Sequence, residues 1–165
     1  MKTKQSVYLE TSFISYLTNR LSNDYLVSAH QRVTREWWER RRNDFDLYIS
    51  EVVINEISAG DKEESRKRVE LVRTSTKLLA IDQEAEKLAQ AFLTKGALPK
   101  KAAEDASHMA IAAVNGIDYL LSWNCKHIAN AEIIRVIMDI CKERGYQAPI
   151  ICTPLEILGK EDGNE

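Results

Sequence analysis

Four polar residues carry the chemistry that this sequence can offer: Glu10, Glu56, Asp105 and Asn124. Each follows or faces the C-terminal end of a predicted strand, where open α/β sheets bind their ligands. Glu10 closes the run Ser6-Val7-Tyr8-Leu9 and is followed by two hydroxyls, Thr11 and Ser12. Asp105 and His108 stand three residues apart on one predicted helix, on neighbouring faces of a single turn. Glu56 lies among apolar neighbours, and an acid beside a buried stripe needs a partner or a metal. Three carboxylates brought together repel by roughly 4 kcal/mol per close pair at an effective dielectric near 20. A divalent cation removes that penalty, and an oxygen-only ligand set suits Mg²⁺ or Mn²⁺ better than zinc. Such an ion activates water for in-line displacement at phosphorus, so hydrolysis of a phosphodiester is the favoured reaction.

The elements that must position these residues alternate between strand and helix. Ala102, Ala106, Met109, Ala110, Ala113 and Val114 recur at helical spacing, and Asn115-Gly116 stops that helix. Tyr119-Leu120-Leu121 is then a short buried strand ending at Ser122, Trp123 and Asn124. Earlier in the chain, Thr11 or Ser12 is placed to cap a helix carrying Phe13, Ile14, Tyr16 and Leu17. A long helix is expected over 24–42, a second strand over 46–49, and a short helix behind Ser50 as its cap. Further helices are expected over 61–76, 82–95 and 128–144, and further strands over 78–81 and 149–152. Short strands alternating with helices predict an α/β fold with a mostly parallel sheet covered on both faces.

Composition sets the class. The 165 residues are 44% hydrophobic and 29% charged, with a net charge of −2, which fits one globular domain and gives no global argument for nucleic acid. We read 1–158 as that domain and 159–165 as a polar tail. No apolar run approaches the roughly 20 residues of a membrane span, and the first residues lack a signal-peptide core, so a cytoplasmic protein without membrane contact is expected. Three widely spaced cysteines, Cys125, Cys141 and Cys152, fit reduced thiols rather than a disulfide framework or a zinc site. A basic stretch with two indoles, Arg32 to Arg42, could serve phosphate contacts and stacking, or be a helix face whose arginines pair with Glu36 and Glu39. Neither a GxGxxG nor a GxxxxGK[ST] stretch occurs, which argues against a nucleotide-binding fold.

Spacing alone does not assemble the four site residues; a resemblance does. In order along the chain, Val7 to Ser12, Ile49 to Ile57, Ala103 to Ala110 and Leu120 to Asn124 resemble the markers of the PIN-domain family, within it the VapC-like toxin ribonucleases of bacterial toxin–antitoxin pairs. The resemblance implies a PIN-like three-layer α/β/α sandwich. It implies a Mg²⁺- or Mn²⁺-dependent endoribonuclease that hydrolyses RNA, with Glu10, Glu56 and Asp105 on the metal and Asn124 contributing directly or through water. It also implies a protein antitoxin as partner and a homodimer through helices such as 24–42. Thr11 and Ser12 are then candidates to hold metal-bound water or phosphate, and His108 to pack beside the site or bind phosphate. Arg40, Arg41 and Arg42 would guide RNA or dock the antitoxin. Two departures stand out. Glu10 replaces the family's usual Asp, moving the carboxylate by about 1.5 Å, and no acid follows Asn124 before Glu132. A site with fewer carboxylates should hold a second metal weakly. The alternative is a PIN-fold RNA-binding or protein-interaction module with weak or no catalysis.

Overall fold

The computed structural model describes residues 3–159. The expected tail therefore lies outside the described residues, Gly159 excepted. Among the described residues, five strands form one sheet: β1 (Ser6–Leu9), β2 (Asp46–Ser50), β3 (Lys77–Leu79), β4 (Tyr119–Leu121) and β5 (Ile150–Cys152). Their order is β3-β2-β1-β4-β5, and all four pairings are parallel, with Tyr8 opposite Tyr48 on one side and Leu120 on the other. The chain leaves β1 toward β2 and β3, then returns to β4 on the opposite flank of β1. That reversal opens a switch point between the C-terminal ends of β1 and β4, the place where such sheets bind ligands.

Seven α-helices among the described residues complete the α/β/α sandwich: α1 (Thr11–Thr18), α2 (Tyr25–Arg41), α3 (Glu51–Ile57), α4 (Lys62–Ser75), α5 (Gln83–Thr94), α6 (Ala103–Val114) and α7 (Ala131–Glu143). α1 packs on α2, α3 and α4, while α5 packs on α6 and α7. Between them lies a core of Tyr8, Leu9, Phe13, Ile14, Trp37, Ile49, Phe92, Met109, Leu120 and Leu121, each fully buried. Burying one side chain of this size stabilises the fold by roughly 1.5–3 kcal/mol. Among the described residues, no helix is long and apolar enough to cross a membrane.

Several local expectations are corrected. Glu10, not Thr11 or Ser12, caps α1: its carboxylate accepts the Ser12 amide at 3.1 Å. Ser50 precedes α3 but makes no side-chain cap, because its hydroxyl is bonded to the Tyr8 hydroxyl at 2.7 Å. The helix expected from 128 begins at Ala131, since the Asn124 carbonyl takes the amides of Ile128 and Ala129 and Asn130 supplies the cap. α6 ends where expected, with Asn115 as C-cap and Gly116 at φ +65°, a conformation glycine adopts without strain.

Candidate active site

Alanine content brings the acids to the switch point. α6 buries Ala106, Ala110, Ala112 and Ala113, small side chains that let a helix lie close to its neighbours. Asp105 and His108 at its start thereby reach the strand ends. Glu10 arrives from β1 and is only 4% exposed. Oε2 of Glu10 accepts Ser122 Oγ at 2.8 Å, the Ser12 amide, and the Ser12 hydroxyl. Ser122 itself continues from β4, held by its amide to the Cys152 carbonyl at 3.1 Å. Three donors on one carboxylate oxygen offset much of the cost of burying it.

His108 sits at the centre of the acids. It is fully buried, with Nε2 2.6 Å from Glu56 Oε1 and 3.9 Å from Glu10 Oε1. Its other nitrogen, Nδ1, is 2.7 Å from the hydroxyl of Tyr8, which in turn lies 2.7 Å from Ser50 Oγ. A continuous chain therefore runs Ser50–Tyr8–His108–Glu56 across two strands and two helices. Burial pushes the imidazole pKa down, yet the Glu56 hydrogen bond and the charges of Glu10, Glu56 and Asp105 outweigh it and hold the pKa above its ordinary value. Protonated, the ring donates through both nitrogens, so the Tyr8 oxygen accepts and its proton points to Ser50. The mutual repulsion of the acids is thus offset by protein groups on the acids themselves.

Asp105 forms the open side. Asn124 Nδ2 donates to Oδ1 at 3.2 Å, and His127 Nδ1 lies 2.9 Å from Oδ2. Asn124 is fixed in turn, because its own Oδ1 accepts the His127 amide at 3.0 Å and its amide donates to Ser122 Oγ at 3.0 Å. Side chains of Glu56 and Asp105 are 27% and 21% exposed, so solvent reaches the cluster from their side rather than through Glu10.

The structure brings Glu10, Glu56, Asp105, Asn124 and His108 together. Ser12 joins them as a support of Glu10, and Thr11 Oγ1 is buried nearby in the chain without a hydrogen-bond partner among the described residues. The three arginines go elsewhere. Arg40 pairs with Glu36, Arg41 with Asp44 and the Ile157 carbonyl, and Arg42 donates to the Trp38 carbonyl. They close α2 just before β2 begins, at the end of the sheet opposite Glu10. Trp37 of the same stretch is core, its Nε1 donating to the Ile157 carbonyl at 3.1 Å. Tyr8, Ser50 and Ser122 are additions that sequence reasoning missed. Their signal was a polar atom inside, or just beyond, an otherwise apolar strand.

The donor set fits a hard divalent cation, since the carboxylates of Glu10, Glu56 and Asp105 and the Asn124 amide offer oxygen throughout. As arranged, no three acidic, imidazole or thiol groups among the described residues stand close enough to hold an ion. Glu56 is engaged by His108, with its side chain 27% exposed.

Comparison with known proteins agrees with this architecture. The PIN-domain family model matches residues 7–124, which contain every residue of the cluster except His127. By sequence alone, no curated protein matches the chain. Among solved structures, VapBC-1 from nontypeable Haemophilus influenzae aligns at a TM-score of 0.60 and 15% identity, over 92% of this chain and 99% of that one. VapC20 of Mycobacterium tuberculosis, a sarcin–ricin loop cleaving toxin, aligns at 0.58 and 16% identity, over 73% of this chain and 92% of that one. VapBC2 of Rickettsia felis, solved on a DNA fragment from its promoter, aligns at 0.58 and 13%, over 90% and 98%. At these identities the structures speak for the fold, and the family model, spanning most of the sequence, identifies the chain as a member of the PIN-domain family.

Proposed function

We propose that this protein is a divalent-metal-dependent endoribonuclease, the toxin of a type II toxin–antitoxin pair. One observation carries the reading: Glu10, Glu56 and Asp105, from three separate elements, surround a single buried imidazole at the switch point of a PIN fold. Glu10, Glu56 and Asp105 are the residues that would hold Mg²⁺ or Mn²⁺. When bound, such an ion supplies an activated water and stabilises charge on the phosphate. The chain's own residues prepare the site. Ser12 and Ser122 hold Glu10 rigid, Asn124 and His127 orient Asp105, and Tyr8 fixes the ring plane of His108. Glu56, bonded to His108 at 2.6 Å, would also offer its carboxylate to such an ion, and His108 Nε2 stands within reach of Glu56 and Glu10 to hold a proton.

Partners follow from the same reading. RNA is the substrate. The VapBC neighbours support an antitoxin that covers the site, and a cytoplasmic location goes with it. Tyr25 and Leu26 at the start of α2, 92% and 66% exposed, support a homodimer through that helix. A second reading, a PIN-fold RNA-binding or protein-interaction module without catalysis, draws support from the His108–Glu56 bond and from Glu in place of Asp at position 10. The deciding experiment incubates structured and unstructured RNA with Mn²⁺ and compares wild type with Asp105→Asn. Cleavage by wild type that the variant loses supports the nuclease. Equal products, or none from either, support the module.

A further inference from the structure

A stack of three rings adjoins the acidic cluster, and nothing in the metal chemistry uses it. His30 of α2 lies flat on Trp123, with ring centroids 4.1 Å apart and planes 11° from parallel. Tyr16 of α1 continues the layer, 6.1 Å and 21° from Trp123 and 6.4 Å and 22° from His30. Trp123 is the buried base of the stack, 8% exposed, while Tyr16 and His30 are half-buried. Its indole is pinned by Nε1 donating to Thr34 Oγ1 at 2.7 Å, and its amide donates to Ser12 Oγ at 2.8 Å. Ser12 is also a donor to Glu10, and Trp123 stands between Ser122 and Asn124, which hold Glu10 and Asp105. The backbone through Ser122, Trp123 and Asn124 therefore ties the stack to the side chains that hold Glu10 and Asp105.

Its outer edges are chemically idle. Neither ring nitrogen of His30 and not the Tyr16 hydroxyl has a hydrogen-bond partner among the described residues. A flat π surface with unmatched donor and acceptor edges suits a ligand with the same two properties. A nucleobase has both. A guanidinium from a protein partner can stack, yet it carries donors only and leaves the Tyr16 O–H unmatched.

We propose that Tyr16, His30 and Trp123 form a shelf beside the acidic cluster on which one base of the bound RNA stacks, favouring purines for their larger face. The shelf rests on the nuclease reading for its substrate, so its test avoids cleavage. Binding of fluorescent single-stranded dodecamers is measured in EDTA by anisotropy, using oligoadenylate, oligouridylate and an abasic ribose-phosphate chain. Wild type should bind oligoadenylate about tenfold more tightly than the abasic chain, with oligouridylate between them. His30→Ala should bring oligoadenylate to within about twofold of the abasic chain and leave abasic binding and the salt slope unchanged. His30→Phe, which keeps a ring but no nitrogens, should restore most of the difference and shows that the alanine variant failed by losing a stacking face. The shelf is overturned if His30→Ala binds oligoadenylate like wild type, if it weakens all three oligomers alike, or if wild type binds none of them. Unaltered RNA binding would assign the stack to a protein side chain instead. Loss of metal-dependent cleavage in Asp105→Asn together with unaltered His30→Ala binding refutes the shelf alone. The base effect without any cleavage refutes the nuclease and leaves the shelf.

Discussion

Replacing Tyr8 by Phe removes one oxygen and breaks two buried contacts at once. The Tyr8 hydroxyl is 2.7 Å from both Ser50 Oγ and His108 Nδ1, and all three residues are fully buried. The ring stays, so no cavity opens, and the whole cost is polar. Ser50 Oγ and His108 Nδ1 are each left without a partner, at roughly 1–3 kcal/mol per orphaned group. A total near 3 kcal/mol lowers the Tm of a chain this size by about 6–12 °C. Ser50→Ala is milder, about 1 kcal/mol, because the Tyr8 hydroxyl keeps His108. In the double variant Ser50 is no longer an orphan, so Tyr8→Phe/Ser50→Ala should cost no more than Tyr8→Phe alone. Urea unfolding of the four proteins measures this cycle directly. A Tyr8→Phe protein within about 0.5 kcal/mol of wild type, or costs that simply add, would refute the hydrogen-bonded chain.

Further outcomes follow from the same contacts. Because the folded-state pKa of His108 is raised, its contribution is complete below the unfolded value near 6.5 and is lost as pH rises through the folded value. Metal-free protein should therefore lose stability as pH rises above about 6.5, and His108→Leu should flatten that slope; an unchanged slope in the variant contradicts the assignment. Burial pushes the thiols of Cys141 and Cys152 up to about 11 and about 12, while Cys125 is exposed. A maleimide at neutral pH should label one thiol per folded chain, and peptide mapping should place it at Cys125.

Much of this arrangement was legible in the sequence, and the limits have physical causes. Helix periodicity and the Asn115-Gly116 stop placed α6, and the apolar triplet Tyr119-Leu120-Leu121 coincides with β4. Strand-end logic found Glu10 and Asn124, and Asn124 does reach Asp105. His108 was visible only as a neighbour of Asp105, because its partners Tyr8 and Glu56 lie 100 and 52 residues away. Tyr8 read as one more apolar strand residue, since its hydroxyl acquires meaning only when β2 and α6 settle beside β1. The arginines at 40–42 read either as a phosphate-contacting patch or as a helix face paired to nearby acids; the helix carries them to the opposite end of the sheet, where Glu36, Asp44 and backbone carbonyls take them. The His30–Trp123 stack spans 93 positions, a separation that no local pattern reveals.

Diffraction from crystals soaked in MnCl₂, recorded at the manganese edge, tests the central claim most directly. The account predicts an anomalous peak bounded by carboxylate oxygens of Glu10, Glu56 and Asp105, with Glu56 turned off His108, and no such peak in Asp105→Asn. Full soaking with no peak among these three acids, and Glu56 still bonded to His108, would contradict it.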